Sequence, residues 1–168
     1  MENTSENQAA AQLSSIRERL AAVAVDYNRL EELRAELADA AADGGTAAWA
    51  AENPDENEEL AGLEATAGDC TDEDDARARI QEGPLSVLVR SGWHSPGVNG
   101  DDTKPEEFEI LLCTGGPAVR IMGDLDEHGE PTRAYLQHQD WGTPWIDYWE
   151  AGAGDTLLEY SIHFYFGE

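Results

Sequence analysis

The sequence predicts an α+β fold: a helical N-terminal arm over residues 1–84, then an antiparallel sheet of about four strands over residues 85–168 with a helix at the C-terminal end. Three observations lead there. A seven-residue apolar repeat runs through residues 8–41, with Leu13, Ile16, Leu20, Val23, Tyr27, Leu30 and Leu37 on a and d positions and Arg34 as its one polar interruption. Gly and Pro then punctuate the chain at Gly44-Gly45, Pro54, Gly68 and Gly83-Pro84. From residue 85 onward the apolar period changes to two.

The repeat over 8–41 reads as one long amphipathic helix whose stripe is buried either against the chain's own second helix or against a second copy. Arg17, Arg19, Asp26 and Glu31 flank the stripe, basic at the front and acidic at the back, as an antiparallel neighbour requires. After an Ala-rich stretch, Asn53-Pro54-Asp55-Glu56 is a helix start, with Asn as the cap, Pro at the first helical position and acids in the first turn. Leu60 and Leu63 supply its apolar edge and Gly68 ends it. A third helix opens at Thr71, whose hydroxyl is expected to cap it, and Asp72, Glu73, Asp74 and Asp75 favour the positive end of its dipole.

Strands are expected where Leu85, Val87 and Val89, then Phe108, Ile110 and Leu112, then Val119, Ile121 and Leu125 alternate with their neighbours. A fourth, over about 132–140, follows the turn Asp126–Glu130, and Gly115-Gly116-Pro117 joins the second to the third. Residues 141–155 hold three Trp among Gly and Pro and read as an ordered loop, with the indoles folded over the open face of the sheet. Leu157–Phe166 reads as a closing helix or an edge strand, with the helix preferred.

Charge restricts what such a chain binds. Asp and Glu number 36 against 10 Lys and Arg, a formal net charge of −26 on 168 residues. A polyanion of this kind repels nucleic acid and anionic lipid, so its natural partners are basic surfaces, including those that otherwise hold phosphates. A compact monomer of 18.3 kDa exposes roughly 8,000 Å², about one net charge per 300 Å². Duplex DNA carries about one per 100 Å² if treated as a rod of ~10 Å radius. Imitation of DNA therefore requires the acids to gather on one face. The halves of the sequence are both acidic, −15 over 1–84 and −11 over 85–168. The acid clusters Asp72–Asp75, Asp101–Asp102, Glu106, Glu107 and Glu109, and Asp124, Asp126 and Glu127 are the candidate contact residues, with Trp141 and Trp145 as candidate aromatic anchors. The competing account is solvation, in which the charge keeps the protein dispersed or adapts it to salt.

Catalytic and metal-binding patterns are weak. Cys113, His94, His138 and Asp140 supply the residue types of a thiol nucleophile, a base and an orienting acid, yet Cys113 ends an apolar strand and reads as core. His138 and Asp140 lie two apart and are expected to form a hydrogen-bonded pair. Asp124, Asp126, His128 and Gly129 resemble the start of a calcium loop, but Tyr135 stands where its twelfth ligand belongs. Gly115-Gly116 lacks the lysine and the longer glycine run of a phosphate loop. No cofactor is expected. Cys70 and Cys113 lack metal-ligand spacing and are expected as free thiols. Neither a membrane span nor a signal peptide is expected, and the host cell cytoplasm is the expected location.

The runs Leu88–Pro96 (LVRSGWHSP), Ile110–Leu125 (ILLCTGGPAVRIMGDL), Gln139–Trp145 (QDWGTPW) and Phe164–Glu168 (FYFGE) resemble a family of small acidic proteins of bacteriophages, prophages and plasmids. That resemblance covers about residues 85–168 and implies mobile-element company, where anti-CRISPR and anti-restriction proteins that act as acidic DNA mimics are found. The functional expectation is a non-enzymatic protein that presents carboxylates to the basic surface of a host nucleic-acid-binding defence protein. The alternative is a salt-adapted structural or assembly protein that dimerises through residues 8–41.

Overall fold

The computed structural model describes residues 4–93 and 104–167. Its elements in chain order are α1 (Thr4–Val23), α2 (Tyr27–Ala42), α3 (Thr46–Glu52), α4 (Pro54–Ala67), α5 (Glu73–Glu82), β1 (Ser86–Arg90), β2 (Glu107–Cys113), β3 (Ala118–Leu125), β4 (Pro131–Gln139), β5 (Ile146–Tyr148) and α6 (Ala153–Ser161). The fold is α+β, with helices preceding one antiparallel sheet and a helix after it. Two compact units divide the chain, one of residues 18–78 and one formed by the residues up to Arg17 together with those from Arg79 on. This division differs from the sequence boundary at residue 84, because the first turns of α1 belong with the sheet.

The expected single helix over 8–41 is two helices, broken at Ala24–Asp26. The Asp26 carboxylate accepts the Arg29 N–H at 3.0 Å and so caps α2, restarting the helix with a new phase. The buried residues of α2 are therefore Leu30 and Leu33, packed with Leu60 and Ala67 of α4 and flanked by Leu37 and Leu63. Arg34, in the predicted seam, is instead exposed and paired with Glu64 at 3.0 Å. Leu13, Ile16, Leu20 and Leu30 of the predicted stripe are all buried within the single chain.

Helix α4 starts at Pro54 and ends at Gly68 in the left-handed region (φ 57°), as the punctuation predicts, although the Asn53 side chain donates back to the Trp49 carbonyl and leaves the α4 N–H groups uncapped. At α5 the cap is Asp72, not Thr71. The Asp72 carboxylate accepts the Asp75 N–H at 2.7 Å, and the Asp75 carboxylate accepts the Thr71 N–H at 3.0 Å, a reciprocal pair that uses the acids locally.

The sheet order follows the chain, β1-β2-β3-β4-β5, all antiparallel. One face carries Phe108, Ile110, Val119, Ile121, Leu136 and His138, all buried, and Tyr160 and Leu157 of α6 are buried with them. The Phe166 ring reaches the Phe108 ring with centroids 4.5 Å apart. Strand β5 lies where the sequence predicts loop; at three residues it is too short to show a period. The closing helix runs over Ala153–Ser161 instead of 157–166, because Gly152 at φ 79° turns the chain into it early and the last residues double back to place Phe166 on the core.

The hairpin between β3 and β4 is closed by Asp126, whose Oδ1 accepts the N–H groups of His128 (2.8 Å) and Glu130 (2.9 Å). Those bonds, Glu130 first, hold the Asp126 carboxyl below the usual carboxylate range. A group whose folded pKa is depressed contributes its stability above the unfolded pKa and loses it as pH falls through the folded value. Asp126→Asn is therefore expected to unfold at lower urea concentration than the parent at pH 7, with the gap closing below about pH 4. A gap that is the same at both pH values would contradict this.

Candidate functional site

The candidate acids fall on both units, and most of those on the sheet are neutralised where they stand. Strand register on the open face sets Arg90 against Glu107, Glu107 against Asp124 and Asp124 against Arg133. Arg90 pairs with Glu107, and its hydrogen bonds hold that carboxyl below the usual range. Arg120 pairs with Glu109 at 2.6 Å and donates to Gln137 at 3.0 Å, while Arg133 stands 3.6 Å from Asp124. Three of the chain's ten cations thus face three of the predicted contact acids. Asp126 serves its turn, Glu127 lies 3.5 Å from His128, and Glu106 is exposed beside Gly92. Of the α5 cluster, Asp72 and Asp75 cap, Glu73 pairs with Arg77 one turn on, and Asp74 is exposed. Asp101, Asp102 and His94 lie outside the described residues.

Charge divides unevenly between the units. Residues 18–78 hold 18 acids and 4 bases, net −14 on 61 residues; the rest of the chain holds 18 acids and 6 bases, net −12 on 107. The helical unit is thus about twice as dense in negative charge per residue.

On α2, Glu32, Glu36, Asp39 and the cap residue Asp43 recur at intervals of four, three and four and are all exposed. That spacing puts one carboxylate on the same helix face every turn, about 5.4 Å apart, against about 3.4 Å per phosphate along one DNA strand. Two of them stand at the negative end of the α2 dipole, whose last turn has no basic residue. Acids there disfavour the helix by about 0.3–1 kcal/mol each, so local stability does not account for them. The spacing was present in the sequence, but only the restart at Asp26 separates this face from the buried one.

The tryptophans do not share one fate. Trp145 is half-buried, with the Arg120 guanidinium 4.1 Å over its ring, and so covers part of the open sheet face as expected. Trp141 and Trp149 are 81% and 85% exposed, contrary to the expectation that all three fold inward. The Trp141 indole N–H donates to the Gly115 carbonyl at 2.7 Å and the ring lies against Gly116, which satisfies its polar atom and leaves its other face in water.

A buried polar trio links α1 to β4. The Ser5 hydroxyl donates to Asp140 Oδ2 at 3.1 Å and stands 2.8 Å from His138 Nδ1, with Ser5 2% and His138 4% exposed. Asp140 and His138 are thus bridged by Ser5, not bonded as the direct pair expected from spacing. Through these two contacts the trio tethers the first turn of α1 to the sheet. Ser5→Ala is expected to cost about 1–3 kcal/mol, since the buried His138 and the half-buried Asp140 lose their partner, and thermal melting checks it. An unchanged melting curve would remove the tether.

Among the described residues no group of three His, Cys, Asp or Glu side chains is arranged to hold a metal, and both cysteines are free thiols. No described helix is long and apolar enough to cross a membrane. No protein-family model, curated protein or solved structure matches the chain.

Proposed function

We propose that this is a non-catalytic binding protein of phage or mobile-element origin that occupies the basic, nucleic-acid-binding surface of a host defence protein, of the CRISPR or restriction type. The observation that carries this reading is the concentration of net charge in residues 18–78, with a one-per-turn carboxylate row on α2 whose last two members work against its helix dipole. The strand acids contribute less, because Arg90, Arg120 and Arg133 already hold Glu107, Glu109 and Asp124. Asp and Glu side chains would take the lysine and arginine contacts that phosphates otherwise make, and the field of the whole chain would speed encounter. Assembly through residues 8–41 has less support, since Leu13, Ile16, Leu20 and Leu30 are already covered in the single chain.

The test joins charge to salt. With the defence complex of a susceptible host immobilised at low salt, the variant Glu32→Gln/Glu36→Gln/Asp39→Asn/Asp43→Asn is expected to bind about tenfold more weakly than the parent, a change of about 1.4 kcal/mol. Duplex DNA is expected to displace the parent, and added salt to weaken it, as screening shortens to about 10 Å at 0.1 M. Binding that ignores salt, survives the four substitutions and coexists with DNA would reject the mimic.

A further inference from the structure

The two edges of the sheet are not treated alike. Strand β5 is three residues long, carries Asp147 and is followed closely by Glu150, so it offers a short and charged edge. Strand β1 at the other edge is Ser86-Val87-Leu88-Val89-Arg90, and among the described residues it pairs only with β2. The strand itself carries no proline, no lysine and no carboxylate to blunt the edge, and its one charge, Arg90, is turned back onto Glu107. Leu85, Leu88, Val89 and Trp93 along it are 58%, 57%, 44% and 105% exposed. Residues 83–100 are also the longest run without an acid in a chain with 36 of them.

We propose that β1 is a self-association edge that pairs antiparallel with β1 of a second copy, joining the two five-stranded sheets across a two-fold axis at Leu88. A cationic partner finds no carboxylate on β1 itself, and an anionic one is repelled by the rest of the chain, which leaves an apolar, near-neutral strand as the matching occupant. The strand is its own complement. With Leu88 opposite Leu88 of the other copy, Val87 faces Val89 on the core side and Ser86 faces Arg90 on the open side, so exposed apolar groups meet and no two like charges are opposed. Two chains of −26 repel everywhere else, and the acid-free run is where contact costs least. The association is therefore expected to strengthen with salt, opposite in sign to capture of a basic partner, so either proposal can fail without the other.

Sedimentation at high micromolar protein concentration is expected to show monomer at low salt and dimer at about 1 M salt, where the screening length is about 3 Å. Leu88→Lys/Val89→Lys is expected to remain monomeric at both, while its melting temperature stays near that of the parent because both positions are exposed. Mild oxidation of Leu88→Cys is expected to give a dimer linked through that residue, since directly opposed Cβ atoms lie about 4.5–5.5 Å apart. Ser86→Cys places its equivalents about 14 Å apart and is expected to give only the background of the native thiols in the parent. A monomer at every salt concentration, a dimer that survives the two lysines, or equal cross-linking of the two cysteine variants would overturn the proposal.

Discussion

Gly123→Ala is expected to lower the melting temperature by about 6–12 °C, the shift that corresponds to about 3 kcal/mol in a chain of this size. Gly123 lies on the buried side of β3, opposite Phe108 on β2 and Ala134 on β4. A Cβ there meets the Phe108 ring and the Arg133 backbone carbonyl at far below contact distance. Phe108 is fully buried and its ring packs against the tilted Phe166 ring, so it has nowhere to turn. The carbonyl belongs to the neighbouring strand and moves only if the β3–β4 ladder opens. Phe108→Leu in the Gly123→Ala background is accordingly expected to restore part of the loss and no more, because it relieves the ring and leaves the carbonyl. Full rescue by Phe108→Leu would show that the ring alone excludes a side chain. A melting point within about 2 °C of the parent would show that the strands have room, and would count against the packing described for this face.

Strands β2, β3 and β4 were legible because each has one buried and one open face, and their alternation survives any error in strand ends. Helix ends at Pro54, Gly68 and Gly83 were legible for equally local reasons. The break at Ala24–Asp26 was not, since Val23 and Tyr27 on either side of it both fit the heptad and the count runs through without objection; only the capping carboxylate of Asp26 marks the restart. Strand β5, three residues long, shows no period, and the exposure of Trp141 depends on a carbonyl 26 residues away. The candidate site shows the same limit. That Glu107, Glu109 and Asp124 are acids is plain in the sequence, but their neutralisation by Arg90, Arg120 and Arg133 follows from strand register, which spacing alone does not set. The tether of Ser5 to His138 spans 133 residues and left no local trace.

Leu33→Asp separates the two descriptions of the helical unit most sharply, because the heptad frame leaves position 33 outside the seam and puts position 34 in it. In the structure Leu33 is 0% exposed and packs with Leu30, Leu60 and Ala67, whereas Arg34 is exposed and pairs with Glu64. Truncating a buried leucine costs about 2–5 kcal/mol, and a carboxyl group in its place adds desolvation with no partner to offset it. A loss of about 5 kcal/mol is comparable to the whole stability of a small domain, so the helical signal of residues 18–78 is expected to be largely lost at room temperature. Arg34→Leu is the counterpart. If the heptad seam existed, filling its polar gap would raise the melting temperature; with Arg34 exposed, the substitution removes a surface ion pair worth about 0–1 kcal/mol and leaves the melting temperature nearly unchanged. Circular dichroism of both variants decides between the frames: a stable Leu33→Asp together with a stabilised Arg34→Leu would restore the single long helix, and the opposite pattern fixes the restart at Asp26 as the feature that sets which face of α2 is buried and which carries the acids.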